Sequence, residues 1–143
     1  SPAQRCAAFA VALGARLAVP VTELPGLRER DFGSWEGKAA DTLPPADLAA
    51  FWTDPAGFTP PGAEPLTDFR ARVAAAWQEM MRLSHRHPLV VTHGGVVRAI
   101  LGEVLGLADA SLLLMEVPHA CRTRIRLPEP RAGGLPSLVA HGC

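Results

Sequence analysis

The most distinctive chemical group in this sequence is a histidine that follows an apolar run. Residues 90–92 lead into His93, and Gly94 and Gly95 allow the chain to turn into a helical pattern. In open α/β sheets, ligands bind beyond the carboxyl ends of strands, where the first amides of the next helix attract anions. A histidine there can donate a hydrogen bond to a phosphoryl oxygen. Taken alone, the segment fits a plain strand end and turn equally well.

A second candidate segment, residues 27–37, combines charged residues with glycine and aromatic residues. A carboxyl group held there near Arg28 or Arg30 could serve as a general acid. Loops positioned by a rigid scaffold often carry function. Without other information, however, a solvated charged turn with Trp35 packed beneath it explains the segment better.

The third candidate is Arg5, which falls in the first turn of a helix predicted to start at Ser1. A guanidinium group can hold a phosphoryl group with two hydrogen bonds. An arginine paired with a carboxylate is an equally good explanation.

The elements that must position these residues alternate between helices and strands, which predicts an α/β fold. Ser1 is the predicted cap of the first helix, which should be buried on most sides and end between Gly14 and Pro20. The other predicted helices share apolar periodicity or flanking turn residues, and they cover residues 46–52, 66–84, 96–105 (closed by Gly106) and 109–115. The predicted strands are rich in β-branched or alternating residues, and they cover 19–24, 88–92, 122–127 and 138–141. Of these, 88–92 should be a buried strand of a parallel sheet.

The composition narrows the function classes. A chain of 143 residues suffices for one domain, and its 14 basic and 14 acidic residues leave no net charge to attract nucleic acid or a membrane surface. No apolar run reaches the roughly 20 residues of a membrane span, and no signal peptide is evident. The cysteines Cys6, Cys121 and Cys143 lack Cys-x-x-Cys spacing, which argues against disulfides and a zinc site and favours a reducing cytoplasm.

The three candidate segments stand in the order typical of the histidine phosphatase superfamily, whose members are phosphoglycerate mutase-like. They are Ser-Pro-x-x-Arg from Ser1, Leu-x-Glu-x-x-Phe-Gly-x-Trp-Glu-Gly from Leu27, and Val-Val-Thr-His-Gly-Gly-Val-Val-Arg from Val90. Residues 58–64 and 68–73 resemble the family's Pro-Gly-Gly-Glu-Ser loop and the helix after it. The resemblance covers nearly the whole chain. It implies a three-layer α/β/α sandwich with a mostly parallel central sheet, and hydrolysis of phosphomonoesters through a phosphohistidine, without metal or other cofactor.

The resemblance also implies roles for individual residues. Arg5 and His93, together with the Gly94 amide, would bind the phosphoryl group, and Glu29 would act as general acid and then general base. Glu64 is a weaker candidate, because Gly-Ala-Glu-Pro replaces the family's usual Gly-Gly-Glu-Ser at this loop.

The family's nucleophile, a histidine in an Arg-His-Gly motif, has no counterpart in this sequence. We expect the remaining histidines, His85, His87, His119 and His141, to be surface or structural residues. We therefore expect residues 1–143 to be one phosphatase domain lacking its first strand and nucleophile segment. Either that segment lies upstream in the natural protein, or the chain is a truncated product. The first explanation is favoured, because a sheet without its central strand would expose a large apolar gap. The 143 residues alone should then be inactive.

Within the superfamily, residues 51–55 and 60–62 look most like bacterial alpha-ribazole phosphatases of cobalamin synthesis. The stretch from Glu29 to His93 also looks too short for the extra segment of phosphoglycerate mutases. The alternatives are another small-molecule histidine phosphatase, a mutase-like enzyme, or a catalytically dead relative that binds a phosphorylated ligand. The expected partner is a small phosphorylated metabolite, with no nucleic acid and no membrane, in the cytoplasm. A homodimer is compatible with these residues.

Overall fold

The structure is a computed structural model, and it describes residues 1–83, 87–128 and 133–142. The helices are α1 (Gln4–Leu17), α2 (Pro45–Thr53), α3 (Leu66–Arg82), α4 (Gly94–Leu105) and α5 (Asp109–Leu112). The strands are β1 (Arg122–Arg126) and β2 (Ser137–Gly142), and short 3₁₀ turns lie at Pro25–Leu27, Gly33–Trp35 and Ala40–Thr42. The arrangement is mixed α/β, and every predicted helix is present. No helix in the described residues is long and apolar enough to cross a membrane.

The core lies between α3 and α4. The apolar stripe predicted for α3 is buried at Phe69, Val73, Trp77 and Met80, and it packs with Val96 and Ile100 of α4 and with Leu27. Each of these side chains is at most 7% exposed. Leu83, predicted to extend the stripe, is instead 42% exposed, because α3 ends at Arg82 before Leu83 can face the core. The last predicted helical residue, Ser84, lies outside the described residues.

The predicted carboxy-terminal strands are confirmed as an antiparallel pair. Arg122 lies opposite Gly142 and Arg126 opposite Ser137, with one register irregularity between Arg124 and Ile125. α4 packs against β2. This two-stranded sheet is the whole of the β-structure in the described residues.

Residues 88–92, predicted as a buried strand of a parallel sheet, form no strand in the described residues. The segment leads to His93 without strand pairing, and Leu89 is 68% exposed. It is held by other contacts, since Val90 packs on the core and the Thr92 hydroxyl donates to the Leu27 carbonyl at 2.9 Å. A β-branched run becomes a strand only when another strand is placed to pair with it, and the described residues place none there.

The predicted strand at 19–24 is wrong, because these residues form no strand. Val19 and Val21 are about half exposed, at 51% and 43%, and the segment folds back along α1. Gly14 lies inside α1, and a Cβ there would stand 2.4 Å from the Val21 methyl group, so glycine permits this close approach. The helix ends on Ala18, whose φ of 53° lies in the left-handed region.

Two further expectations for α1 need correction. The cap position is Ala3, not Ser1, and the Ser1 hydroxyl accepts a hydrogen bond from the Ala3 amide at 3.3 Å while also reaching His93. The helix is buried only at Cys6 and Gly14, whereas Phe9, for example, is 58% exposed. The uniformly apolar sequence could not indicate which face would have a neighbour.

Arg72 of α3 connects the helix to the loops that precede the site. Its guanidinium donates to both oxygens of Glu64, at 2.9 and 2.7 Å. It also donates to the carbonyls of Gly26, Arg28 and Glu29, at 2.9, 3.0 and 3.3 Å. These contacts use all five N–H donors that a guanidinium possesses. The backbone on either side of Glu29 is therefore fixed by one side chain.

We predict that Arg72→Lys destabilises the intact protein by roughly 1–3 kcal/mol, because an ammonium group cannot replace the planar set of five donors and leaves partly buried carbonyls unpaired. Urea unfolding measures the effect. Arg82→Lys is the matched control, since Arg82 is the exposed last residue of the same helix. Equal unfolding midpoints for the two variants would contradict the role given to Arg72.

Candidate active site

His93 occupies the cap position of α4 and is 7% exposed. Its Nδ1 lies 3.0 Å from Nη2 of Arg5, and its Nε2 lies 2.9 Å from the Ser1 hydroxyl. A guanidinium can only donate, so Nδ1 must be the acceptor. The proton of the neutral ring then sits on Nε2 and is donated to the Ser1 oxygen. The structure thus holds His93 as one defined neutral tautomer.

The surroundings of His93 favour this neutral form. Burial lowers the pKa of His93 below its ordinary value of 6.5, and the positive charge of Arg5 lowers it further. The carboxylate of Glu29 acts in the opposite direction but is the weaker influence. Since both main causes disfavour the imidazolium, we infer that His93 is uncharged near neutral pH in the ligand-free protein.

The carboxylate of Glu29 lies at the amino end of α4. Its Oε2 accepts from the Gly95 amide and its Oε1 from the Arg30 amide, both at 3.1 Å. The positive end of the helix dipole stabilises a negative charge at this position. A Cβ on Gly95 would lie 2.3 Å from Oε1, so only glycine leaves room for the carboxylate. The sequence pattern had singled out Gly94, which begins α4, while the amide in contact with Glu29 belongs to Gly95.

A cleft of about 460 Å³ opens beside these groups and is lined by Arg5 and Glu29. Its other charged lining residues are Arg28, Arg30, Asp31 and Glu36. The three basic and three acidic side chains balance formally. An anion would therefore be bound by the placement of particular donors and not by net charge. Arg5 is exposed, and among the cleft's basic groups it is the one in contact with His93.

Arg30 was grouped in the sequence with Arg28 as a neighbour of a carboxyl group, but the structure buries it. It is 6% exposed, its Nε donates to the Glu64 carbonyl at 2.8 Å, and its guanidinium lies 5.4 Å from the centre of the Phe32 ring. Burial lowers the pKa of Arg30, against a smaller opposing effect of Glu64. Arg30 thus supports the loop from within, while Arg28 is exposed at the cleft.

Glu64 has its carboxylate bound to Arg72. The hydrogen bonds from Arg72 are the main reason that the pKa of Glu64 lies below its ordinary value. Glu64 does not line the cleft of Arg5 and Glu29. The structure therefore places it in the support of the loop, and not beside His93. Glu64 and Arg72 are eight residues apart in the sequence, and this separation alone does not predict that they pair.

Cys6, which was not a candidate from the sequence, packs directly against the His93 ring. The thiol is 5% exposed, and its sulfur lies 3.6 Å from both Nε2 of His93 and the Thr92 carbonyl oxygen. Cys6 and Arg5 are adjacent in the first turn of α1, so one turn of helix supplies two contacts to the imidazole. These contacts fix the ring orientation.

The other described histidines lie away from this cluster, as expected. His87 and His119 are exposed. His141 donates from Nε2 to the Glu116 carbonyl at 2.8 Å, and its Nδ1 lies 2.8 Å from the Thr123 hydroxyl. These contacts tie β2 to β1 and to the segment before it. His85 lies outside the described residues.

Comparison with known proteins places this geometry in a family. Residues 1–133 match the family model of the histidine phosphatase superfamily (branch 1). A glucosyl-3-phosphoglycerate phosphatase of Mycolicibacterium vanbaalenii is 32% identical over 118 residues, covering 75% of this chain and 52% of the relative. A putative phosphoserine phosphatase 2 of Hydrogenobacter thermophilus is 26% identical over 130 residues, covering 89% of this chain and 64% of the relative.

The fold is also similar to that of solved phosphatase structures. The solved structure of the alpha-ribazole phosphatase of Shigella flexneri superposes with a TM-score of 0.81 at 22% identity, covering 98% of this chain and 69% of that one. The chain spans between about half and two thirds of the length of the curated relatives it matches. The match over residues 1–133, with Arg5, Glu29 and His93 inside it, shows that the chain belongs to the histidine phosphatase superfamily.

Proposed function

We propose that the protein is a phosphomonoesterase that works through a phosphohistidine intermediate. The observation that carries this proposal is the convergence of Arg5, His93, Glu29 and the Gly95 amide at the amino end of α4. Phosphoryl transfer depends mainly on positioning and on stabilising the charge of the equatorial oxygens. A cationic donor and a carboxyl group on the cleft, with an imidazole in contact with that donor, are suited to that task.

Arg5 and His93 would bind the phosphoryl oxygens. In the ligand-free arrangement Arg5 donates to the neutral His93 ring. A phosphoryl oxygen is a stronger, charged acceptor, so it would replace Nδ1 as the partner of Arg5. The nearby dianion would also favour protonation of Nδ1, and His93 would then donate to the same group. Gly94, at the start of α4, would add its amide.

Glu29 would carry the proton for the leaving group. Its carboxyl group would protonate the departing alkoxide and then deprotonate the water that attacks the phosphohistidine. Glu64 is a poor alternative because Arg72 occupies both of its oxygens. Glu36 also lines the cleft, where its Oε1 accepts from the Phe32 amide at 2.8 Å, but the carboxylate in contact with α4 is that of Glu29.

The nucleophilic histidine would come from sequence outside these 143 residues. None of the five histidines stands in an Arg-His-Gly motif, and the curated relatives are longer than this chain. We propose that such a segment also supplies a strand beside residues 88–92, which would complete the three-layer sandwich with a mostly parallel sheet. The mechanism uses no metal or other cofactor, so activity should persist in a chelator. The single-domain organisation, the homodimer and the cytoplasmic location stay predictions.

For the substrate we propose alpha-ribazole 5'-phosphate in cobalamin synthesis. The support is the likeness of residues 51–55 and 60–62 to that group, together with the fold shared with an alpha-ribazole phosphatase. The names of the sequence relatives point to other small phosphorylated metabolites. The second candidate function, a catalytically dead binder of a phosphorylated ligand, is disfavoured by Glu29, because binding a phosphate needs no carboxylate beside it.

The first prediction separates His93 from Glu29. His93→Ala should slow phosphorylation of the intact protein for every leaving group, by an amount on the order of 3–4 kcal/mol. Glu29→Gln should lower the phosphorylation rate roughly 10²–10⁴-fold with an alkyl phosphate, whose alkoxide needs a proton, and much less with nitrophenyl phosphate. Single-turnover rates with both substrates, in the presence of a chelator, measure this. Equal losses of Glu29→Gln with both substrates would exclude Glu29 as the acid.

A second prediction compares neighbouring glycines. Gly95→Ala should reduce kcat/KM with an alkyl phosphate nearly as much as Glu29→Gln does, because its Cβ would displace the Glu29 carboxylate. Gly94→Ala should reduce kcat/KM much less, since the atoms nearest its Cβ would be the flexible end of Arg98, at 3.4 Å, and the Val117 side chain, at 3.7 Å. Helix propensity favours alanine in both variants, so unfolding does not explain a loss. Similar kcat/KM values for the two variants would overturn the argument.

The third prediction concerns pH. Without ligand, the imidazole of His93 should titrate below its ordinary value of 6.5, and its stabilising contribution should be lost as the pH falls, because unfolded His93 binds a proton first. Sulfate, which stays a dianion over this range, should raise the pKa of His93. Side-chain NMR of the intact protein measures both, with His93→Gln identifying the signal. Arg5→Gln should raise the pKa in the ligand-free state; an unchanged midpoint would contradict the contribution of Arg5.

A further inference from the structure

A second cleft adjoins the one that contains Arg5 and Glu29. It has a volume of about 320 Å³, and we call it the aromatic groove. Its apolar lining includes Phe32, Trp35, Leu43, Leu48, Phe51 and Trp52. Phe32 and Glu36 line both clefts, so the two are neighbours that share a wall. The volume lies in the range typical of small-molecule sites.

The floor of the groove is rigid. Trp35 is 9% exposed, and its ring centre lies 5.6 Å from those of both Phe51 and Phe58. Gly33, with a φ of +54°, brings this part of the chain against the loop at 61–63, where a Cβ would lie 2.4 Å from the Ala63 amide. The Ser34 amide donates to the Pro61 carbonyl at 2.9 Å. The groove is therefore preformed, and its shape depends on the same loop that holds Glu29.

Trp52 forms the open side of the groove. Its ring centre lies 5.1 Å from that of Phe51, in an edge-to-face arrangement, yet the residue is 65% exposed. This is unusual for a large aromatic side chain that already belongs to a cluster, since burying it would be favourable. The charged residues of the groove are Glu36 and Lys38, one of each sign. These two charges cancel, so the groove offers no net positive charge to a second anionic group.

We propose that the aromatic groove binds the alcohol part of the substrate, and that this part carries a planar, uncharged aromatic group in contact with Trp52. The inference rests on the proposed phosphatase function of the adjoining cleft, but not on the identity of the natural substrate. A phosphoester whose phosphoryl group lies between Arg5 and His93 has its remaining portion free to extend past Phe32. An aromatic ring there would cover the exposed surface of Trp52.

The test compares three esters of primary alcohols on the intact protein: propyl, 3-phenylpropyl and 3-cyclohexylpropyl phosphate. Their leaving groups are similar alkoxides, so differences in kcat/KM report binding of the remote group. We expect the phenyl ester to exceed the propyl ester by about threefold to tenfold, as aromatic pairing provides. The cyclohexyl ester should gain less. Equal gains for the two rings would contradict recognition of a planar group.

Substitutions at Trp52 assign the effect to the groove. Trp52→Ala should bring the phenyl-to-propyl ratio near one, and Trp52→Phe should restore much of it. Leu105→Ala is the control, since Leu105 is a 43% exposed apolar residue at the opposite end of α4 from His93. It should keep the wild-type ratio. A ratio insensitive to Trp52→Ala would overturn the proposal.

Failure of the phosphatase proposal would look different. If the intact protein hydrolyses none of the three esters, the proposed reaction is wrong, and the groove is then tested by binding alone. Calorimetric titration with propylphosphonate and 3-phenylpropylphosphonate, which cannot be hydrolysed at the C–P bond, gives the same comparison. Tighter binding of the phenyl compound that disappears in Trp52→Ala supports the groove. Equal affinities refute it.

Discussion

The five hydrogen bonds of Arg72 are the constraint on which the rest of the site depends. They join the core helix α3 to the loop at residues 26–29 and to Glu64. The ion pair is partly shielded from solvent, with side chains 20% and 19% exposed, so it is stronger than a surface pair but still reaches water. Without Arg72, the carbonyl groups of Gly26, Arg28 and Glu29 would each need another partner. With its backbone fixed, Glu29 can extend its side chain to α4.

The amino end of α4 provides a favourable place for the negative charge of Glu29. A helix start offers unpaired amides and a positive dipole end, and Glu29 already occupies one of those amides at Gly95. Arg5 and His93 are coupled by one hydrogen bond in which the ring must be neutral. A phosphoryl group entering between them would exchange that neutral acceptor for an anionic one. In the ligand-free arrangement, the groups of the site are therefore paired with one another.

Local sequence patterns predicted the helices well. The periodicity of Phe69, Val73 and Trp77 correctly marked the buried face of α3, and Gly106 correctly marked the end of α4, where its φ of 63° is accessible to glycine. The strands predicted at 122–127 and 138–141 are present, because each has the other as its pairing partner. Residues 19–24 and 88–92 form no strand in the described residues, because strand formation depends on a partner that the residues of the segment do not encode.

The sequence by itself determined which residues are candidates for the chemistry. Arg5, Glu29 and His93 were singled out because their three segments stand in the order typical of the histidine phosphatase superfamily, to which the chain belongs. Only the tertiary structure decided their contacts: that the Gly95 amide binds Glu29, that Arg72 binds both oxygens of Glu64, and that Cys6 packs on His93. The physical reason is that motifs record local covalent order, whereas hydrogen-bond partners and burial arise from segments far apart in the chain.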